Sequence, residues 1–144
     1  MIKSKVVFFS LLFFLAGYII SCKKDAGDVV PDVYVNIYIY TTAPEFISIN
    51  AVGGWIYITG EGSRGIVVYR NSVEEFMAYD RHCTYEPSNS CARIEVEQSN
   101  ITAVDSCCGS KFVLTDGSVV NGPASLPLKQ YQAMLDGNVL HIFN

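Results

Sequence analysis

Four cysteines in the second half of the chain are the residues whose type and spacing could do chemistry. They are Cys83, Cys91, Cys107 and Cys108, and the last two are adjacent in the stretch DSCCGSKF, which begins at Asp105. Cysteines serve as thiolate metal ligands or as partners in disulfides. Because the side chains of neighbouring residues tend to diverge, all four cysteines cannot easily meet on one zinc ion.

The two histidines of the chain, His82 and His141, are the next candidates for chemistry. His82 lies beside Cys83 in a loop, and a loop histidine is expected to face solvent. His141 lies in the last strand pattern and is expected to be structural. The chain has no Ser-His-Asp order, no phosphate-binding glycine loop and no carboxylate pair at catalytic spacing. We therefore expect a protein that is not an enzyme.

Residues 1–21 predict a lipoprotein signal peptide. A short basic head precedes an apolar run of fifteen residues, 6–20, which is shorter than the roughly 20 residues of a membrane-spanning helix. The residues that follow, Ile19-Ile20-Ser21-Cys22, resemble a bacterial lipobox. That resemblance implies cleavage before Cys22, which would carry diacylglycerol and an acyl chain such as palmitate and so anchor the protein durably. An uncleaved anchor with an incidental cysteine is the alternative.

The residues after Cys22 indicate where the mature protein would lie. Lys23 and Lys24, rather than aspartate, follow the cysteine, which implies sorting to the outer membrane, on its periplasmic side. Residues 22–32 predict a lipid anchor with a polar tether, and residues 33–144 the domain. Outside the cytoplasm, thiols of small domains tend to be oxidised, so the four remaining cysteines favour disulfides.

Composition and charge narrow the class of protein further. A chain of 144 residues with 50% hydrophobic and 17% charged residues suits one globular domain. The formal net charge of −4 becomes −6 without the two lysines of residues 1–21. Because an acidic surface repels phosphate backbones, we exclude nucleic acid as a partner.

Strand patterns fill the predicted domain. Alternating β-branched and aromatic side chains occupy residues 33–40, 55–60 and 65–70, and the last two stretches predict a hairpin. Asp116-Gly117 and Asp136-Gly137 predict the turns of two more hairpins. Residues 72–80 predict either one or two helical turns after a Ser72 cap, or a loop. The pattern as a whole predicts an all-β sandwich or barrel of short antiparallel strands.

The carboxyl-terminal third of the chain resembles the Rieske iron-sulfur domain. The matching elements keep the family's order: Gly109-Ser110-x-Phe112, Asp116-Gly117, Gly122-Pro123-Ala124, Leu126-Pro127-Leu128, Tyr131 and the DGNVLHI hairpin. Residues 79–87 fall where the family has its first cluster loop. The resemblance implies an all-β, Rieske-like fold of three antiparallel sheets of short strands, with two loops of a small subdomain meeting at a tip.

The cluster ligands of that family are mostly replaced in this chain. Rieske loops supply two cysteines to one iron and two histidines to the other iron of a two-iron two-sulfur (2Fe-2S) cluster. The corresponding residues here are Cys83 and Tyr85 in the first loop, and Asp105 and Cys108 in the second. With both imidazoles absent, the resemblance implies no typical cluster. An atypical 2Fe-2S cluster held by these four residues is one alternative, and a slipped pair of His82 and Cys83 that forms half a site is another.

The resemblance also implies a pairing for the cysteines. Some Rieske proteins of respiratory cytochrome bc complexes carry an extra cysteine in each loop, joined as a disulfide. The resemblance places Cys91 and Cys107 in that role and leaves Cys83 and Cys108 to pair as well. Four cysteines permit three pairings, and a strained, redox-active bond between Cys107 and Cys108 is a further possibility.

Two functions therefore follow as expectations. The first is an envelope lipoprotein whose Rieske-like domain is a disulfide-stabilised binding or structural module, with a membrane anchor and an envelope protein as partner. The second is an electron carrier with an atypical 2Fe-2S cluster and an envelope redox partner. The segment Gly122-Pro123-Ala124, which in the family shields the cluster from water, favours the second.

Overall fold

A computed structural model of the protein describes residues 29–144. The predicted signal peptide 1–21, the lipidation site Cys22 and most of the tether lie outside these residues. Within residues 29–144, no helix has the length and apolar character needed to cross a membrane.

The described residues form ten strands and one short 3-10 helix. The strands are β1 (Asn36–Tyr40), β2 (Trp55–Ile58), β3 (Ile66–Arg70), β4 (Phe76–Asp80), β5 (Ile94–Val96), β6 (Thr102–Asp105), β7 (Lys111–Val113), β8 (Val119–Asn121), β9 (Gln130–Asp136) and β10 (Val139–Phe143), with the 3-10 helix at Pro44–Asn50. The strand patterns did not predict this helix.

All strand pairs are antiparallel, and they form two sheets. The larger sheet has the order β1-β10-β9-β4-β3-β2, and the smaller has the order β5-β6-β7-β8. Two of the three expected sheets are joined to each other in the larger sheet, because β9 pairs both with β10 and with β4. The β4 contact is only two residue pairs long, Ala78 with Tyr131 and Tyr79 with Gln130. The prediction of an all-β fold of short antiparallel strands is confirmed.

The three predicted hairpins are present as β2-β3, β7-β8 and β9-β10. The prediction for residues 72–80 was wrong, because Phe76–Asp80 is strand β4 and pairs with β3 along its full length. The Ser72 Oγ does accept a hydrogen bond from the Glu75 N–H at 3.1 Å, but it closes the turn before β4 and caps no helix. Pairing with both β3 and β9 decides the conformation of this segment.

Two hydrophobic cores lie on opposite faces of the central strands. In β3, Ile66 and Val68 point into the first core, whereas Val67 and Tyr69 point into the second. The second core also contains Cys83 and the buried side chains of the smaller sheet. Because the side chains of β3 alternate between the two cores, β3 packs the smaller sheet, and the loops that it carries, against the larger sheet.

Candidate functional site

Two loops of the smaller sheet meet at one end of the molecule. We call residues 81–93 the first tip loop and residues 106–110 the second tip loop. An isolated bridge between His82 and Arg93 closes the base of the first loop. The second loop is a tight connection from β6 to β7, in which the Asp105 N–H donates to the Ser110 carbonyl at 2.9 Å. The expected tip of two loops is therefore present.

A disulfide between Cys91 and Cys107 joins the two tip loops, and the two Cα atoms lie 5.8 Å apart. This is the pairing that the family resemblance implies. Because Cys107 is bound to Cys91, a bond between the neighbours Cys107 and Cys108 is absent from this structure.

Cys83 and Cys108, which were expected to form a second bridge, are free thiols here. Their Sγ atoms lie 3.9 Å apart, a contact distance that is well beyond a disulfide bond of about 2.05 Å. The Asp105 carboxylate completes the group, since its Oδ2 atom lies 3.4 Å from Cys108 Sγ. The ligand atoms of these three residues all lie within 4.8 Å of one another.

The three residues of this group differ in their surroundings. Cys83 and Asp105 are fully buried, whereas Cys108 is half-buried. Burial raises the pKa of the Cys83 thiol, and the nearby Asp105 carboxylate raises it further. Cys83 is therefore a neutral thiol when no cation is bound.

Backbone and hydroxyl groups hold the second tip loop around this group. The Cys107 N–H donates to Asp105 Oδ1 at 2.8 Å, and the Ser110 N–H donates to Cys108 Sγ at 3.4 Å. The buried Ser110 hydroxyl lies 3.1 Å from the same sulfur and accepts a hydrogen bond from the Ala124 N–H at 2.9 Å. The Gly-Pro-Ala segment thus positions Ser110 beneath the Cys108 sulfur.

The Tyr85 side chain lies next to this group but forms no hydrogen bond with it. The side chain is half-buried and packs against the second core, and it lines a cavity of about 260 Å³ together with Asp105 and Cys108. The negative charge of Glu86 is the main cause that raises the pKa of Tyr85. The phenolate form that would bind a metal is therefore disfavoured.

The expectation that His82 faces solvent was wrong, because its side chain is buried. Its Nε2 atom donates to the Pro87 carbonyl at 2.7 Å, which leaves Nδ1 to accept from the Ser63 hydroxyl at 2.9 Å. Burial lowers the pKa of His82, in keeping with this neutral form. With both ring nitrogens engaged, the slipped His82-Cys83 metal pair is not formed here.

Two residues that the sequence did not single out organise the base of the tip. Asp80 is fully buried and accepts hydrogen bonds from three backbone N–H groups, those of Ser63, Arg64 and His82, and from the Tyr131 hydroxyl. The guanidinium of Arg64 donates to the Ser90, Asn89 and Pro87 carbonyls of the first tip loop. No sequence pattern marks either residue, since both act through contacts between segments that are distant in the chain.

His141 lies far along the chain from these loops, in β10. Its ring stacks on Tyr38 with a centroid distance of 4.1 Å and an interplanar angle of 7°, and its Nε2 atom lies 2.8 Å from the Asn36 side-chain oxygen. This arrangement is what a structural histidine would have.

Comparison with known proteins gives the same class of fold. No family model and no curated protein matches the sequence. The structure is similar to the cyanobacterial plasma membrane Rieske protein PetC3 from Synechocystis PCC 6803, with a TM-score of 0.54, 23% identity, and coverage of 78% of this chain and 100% of that chain. The fold of this protein is therefore Rieske-like.

Two further solved structures are similar at lower scores. The Sphingomonas yanoikuyae B1 ferredoxin has a TM-score of 0.46 and 16% identity, and covers 62% of this chain and 84% of its own. A chain in the complex of reduced oxygenase and oxidized ferredoxin in carbazole 1,9a-dioxygenase has a TM-score of 0.49 and 12% identity. The match covers 78% of this chain and 94% of that chain.

The residues at the tip do not fit the cluster that is typical of this fold. In the Rieske arrangement, Cys83 and Cys108 would bind different irons, so their sulfurs would lie at opposite ends of a bridged iron pair. The observed 3.9 Å between the two sulfurs leaves no room for such a pair. No imidazole is free at the tip, and the donor set has two thiols and one carboxylate within reach of one point.

Proposed function

We propose that this protein is a cell-envelope lipoprotein whose Rieske-like domain is a disulfide-stabilised binding or structural module without a two-iron cluster. The single observation that carries the proposal is the 3.9 Å separation of the Cys83 and Cys108 sulfurs, which leaves no room for a bridged iron pair between them. The Cys91–Cys107 disulfide joins the two tip loops covalently, and this bond needs no metal.

The contacts around the disulfide support a tip that is ordered by the protein itself. Arg64 and His82 bind carbonyl groups of the first tip loop. The Thr84 hydroxyl donates to the Leu126 carbonyl at 2.7 Å, which ties the same loop to the Pro-Leu segment. Because these bonds need no metal, the surface of the tip is preformed for a partner, and preorganisation lowers the cost of binding.

The proposed setting of the domain follows from the amino-terminal sequence. Cys22 would carry the acyl chains that anchor the protein in the outer membrane, facing the periplasm, and the residues before the domain would tether it there. The partners are the membrane, through this anchor, and an envelope protein that contacts the tip or a sheet surface. The role is non-enzymatic.

Two experiments test the anchor and the metal-independent fold. Palmitate labelling followed by membrane fractionation should place the wild-type protein in the outer membrane, and Cys22→Ser should remove the label.

Protein made in cells depleted of iron should keep the melting temperature of protein made in iron-replete cells. A melting temperature that falls on iron depletion would contradict the proposed module.

The second candidate is an electron carrier with an atypical 2Fe-2S cluster. Its support is the close group of Cys83, Asp105 and Cys108 on a fold that resembles a Rieske protein. It requires Tyr85 as a fourth ligand, so Tyr85→Phe should abolish its visible spectrum. A spectrum without bands beyond the aromatic region in protein from its native compartment would exclude this candidate.

A further inference from the structure

The group of Cys83, Asp105 and Cys108 contains a buried carboxylate whose charge is poorly compensated. Asp105 is fully buried, yet its side chain receives one backbone N–H bond, from Cys107, and otherwise contacts only the thiols of Cys108 and Cys83. Among residues 29–144, no lysine, arginine or histidine forms a salt bridge with it. Burial of a charge is costly unless an opposite charge or several hydrogen bonds compensate it.

Asp80 shows how this chain stabilises a buried carboxylate by hydrogen bonds alone. It is equally buried and accepts four hydrogen bonds, from three backbone N–H groups and the Tyr131 hydroxyl. The Asp105 carboxylate has one backbone N–H partner, and its other partners are thiols, which are weak donors. A cation between Asp105 and the two sulfurs would supply the missing compensation.

Two of the three donor–donor distances match the edges of a tetrahedral site. Zinc binds thiolate sulfur at about 2.3 Å and carboxylate oxygen at about 2.0–2.2 Å, so tetrahedral angles place two sulfurs about 3.8 Å apart, and a sulfur and an oxygen about 3.5 Å apart. The observed separations are 3.9 Å between the sulfurs of Cys83 and Cys108 and 3.4 Å between Cys108 Sγ and Asp105 Oδ2. The Cys83 sulfur and an Asp105 carboxylate oxygen also lie within 4.8 Å of each other, so the three donors are close enough to bind one ion.

Ser110 contacts the Cys108 sulfur through both its backbone N–H and its hydroxyl group. The Ser110 N–H points at its sulfur, and the Ser110 hydroxyl lies 3.1 Å away. That hydroxyl also accepts the Ala124 N–H at 2.9 Å, which fixes its position beside the sulfur. Outer groups that orient ligands in this way are typical of metal sites.

We propose that Cys83, Asp105 and Cys108 bind a single zinc ion, with the fourth position open to the cavity of about 260 Å³ that Asp105 and Cys108 line. As each zinc–sulfur bond forms, the thiol releases its proton to solvent. Two thiolates, one carboxylate and tetrahedral geometry suit zinc better than calcium or magnesium. This mononuclear site is distinct from a two-iron cluster, and it does not depend on which partner the module binds.

The test uses the full chain, purified anaerobically in detergent. One sample keeps its thiols free for metal binding, and in a parallel sample the thiols are blocked by alkylation. Zinc analysis should give one equivalent per chain. Cobalt added to the metal-free protein should give visible bands of a tetrahedral ion and a near-ultraviolet thiolate-to-cobalt band. Absence of cobalt binding, or alkylation data that show Cys83 and Cys108 joined as a disulfide in cells, would overturn the proposal.

Matched variants make the test specific. Asp105→Asn should weaken zinc affinity at least about tenfold, since even outer-sphere partners of metals contribute that much. Asp116→Asn is the control, because Asp116 accepts the Ser118 N–H at 2.9 Å just as Asp105 accepts the Cys107 N–H. The zinc affinity of the Asp116→Asn variant should stay within twofold of wild type. Tyr85→Phe should also leave the cobalt spectrum unchanged. Equal effects of the two aspartate variants, or loss of the spectrum in Tyr85→Phe, would contradict the site.

Discussion

His82 donates a hydrogen bond from Nε2 to the backbone carbonyl of Pro87, across a distance of 2.7 Å. The bond spans the first tip loop from its base to its middle. The histidine beside Cys83 is therefore a brace for the loop, and the loop needs no imidazole–metal bond to keep its shape. A hydrogen bond within the protein therefore holds the tip loop in its conformation, without the histidine–iron bonds that are typical of the fold.

Loss of this brace should loosen the first tip loop. His82→Ala removes the bonds to Pro87 and to Ser63 and should lower the free energy of unfolding by about 1–3 kcal/mol, because buried polar groups lose their partners. His82→Gln can still offer an amide N–H to Pro87 and should cost less. Hydrogen exchange of residues 83–92, together with urea unfolding, measures both effects. Unchanged exchange in His82→Ala would show that the brace is unimportant.

The disulfide between the tip loops should contribute strongly to stability. Removing it in the double variant Cys91→Ser, Cys107→Ser should lower the free energy of unfolding by about 3 kcal/mol, since the bond closes a loop with a sequence separation of 16 residues. Urea unfolding measures the difference. Wild-type protein in excess reductant should unfold at the same urea concentration as the variant. A loss below about 1 kcal/mol in both samples would mean that other contacts fasten the loops.

The two Asp-Gly turns should respond differently to the same substitution. A Cβ atom at Gly117 would lie 2.7 Å from Cε1 of the buried Tyr79, whereas a Cβ at Gly137 would meet nothing within 4 Å. Both glycines have positive φ angles, so alanine should cost about 1–2 kcal/mol at either position. Gly117→Ala should cost about 1–3 kcal/mol more through overpacking. Thermal or urea unfolding compares the two variants, and equal losses would contradict the predicted clash with Tyr79.

The bond between Tyr131 and Asp80 should make stability fall at alkaline pH. Burial, and the hydrogen bond to the Asp80 carboxylate, raise the pKa of Tyr131 above its usual 10.0. The unfolded chain therefore loses this proton first, and the free energy of unfolding decreases as the pH rises above 10. Tyr131→Phe should reduce that slope, measured by circular dichroism between pH 8 and 11. Parallel slopes for the two proteins would contradict the assignment.

The sequence predicted the hairpins well because their signals are local. Asp116-Gly117 and Asp136-Gly137 mark turns whose backbone only glycine adopts easily, and alternating side chains flank both of them. Strand β4 was missed because its conformation depends on pairing with β3 and β9, which are distant in the chain. Ser72 forms a cap-like bond in either conformation, so it could not distinguish them.

The candidate site was predicted in part, for a similar reason. The family resemblance located Cys83, Asp105 and Cys108 at the tip, and the structure brings them within 4.8 Å of one another. The burial of His82 and the roles of Asp80 and Arg64 depend on the turn after β2 folding against the first tip loop. Sequence spacing carries no information on such a contact.

Acid-labile sulfide, measured together with iron after anaerobic reconstitution of the full chain, tests the central claim most directly. The claim is that a disulfide and a network of hydrogen bonds hold the tip, and that no bridged iron pair does. The account predicts sulfide at background level and no paramagnetic signal after reduction. Two irons and two sulfides per chain, with a signal that disappears in Cys83→Ser and in Tyr85→Phe, would contradict it.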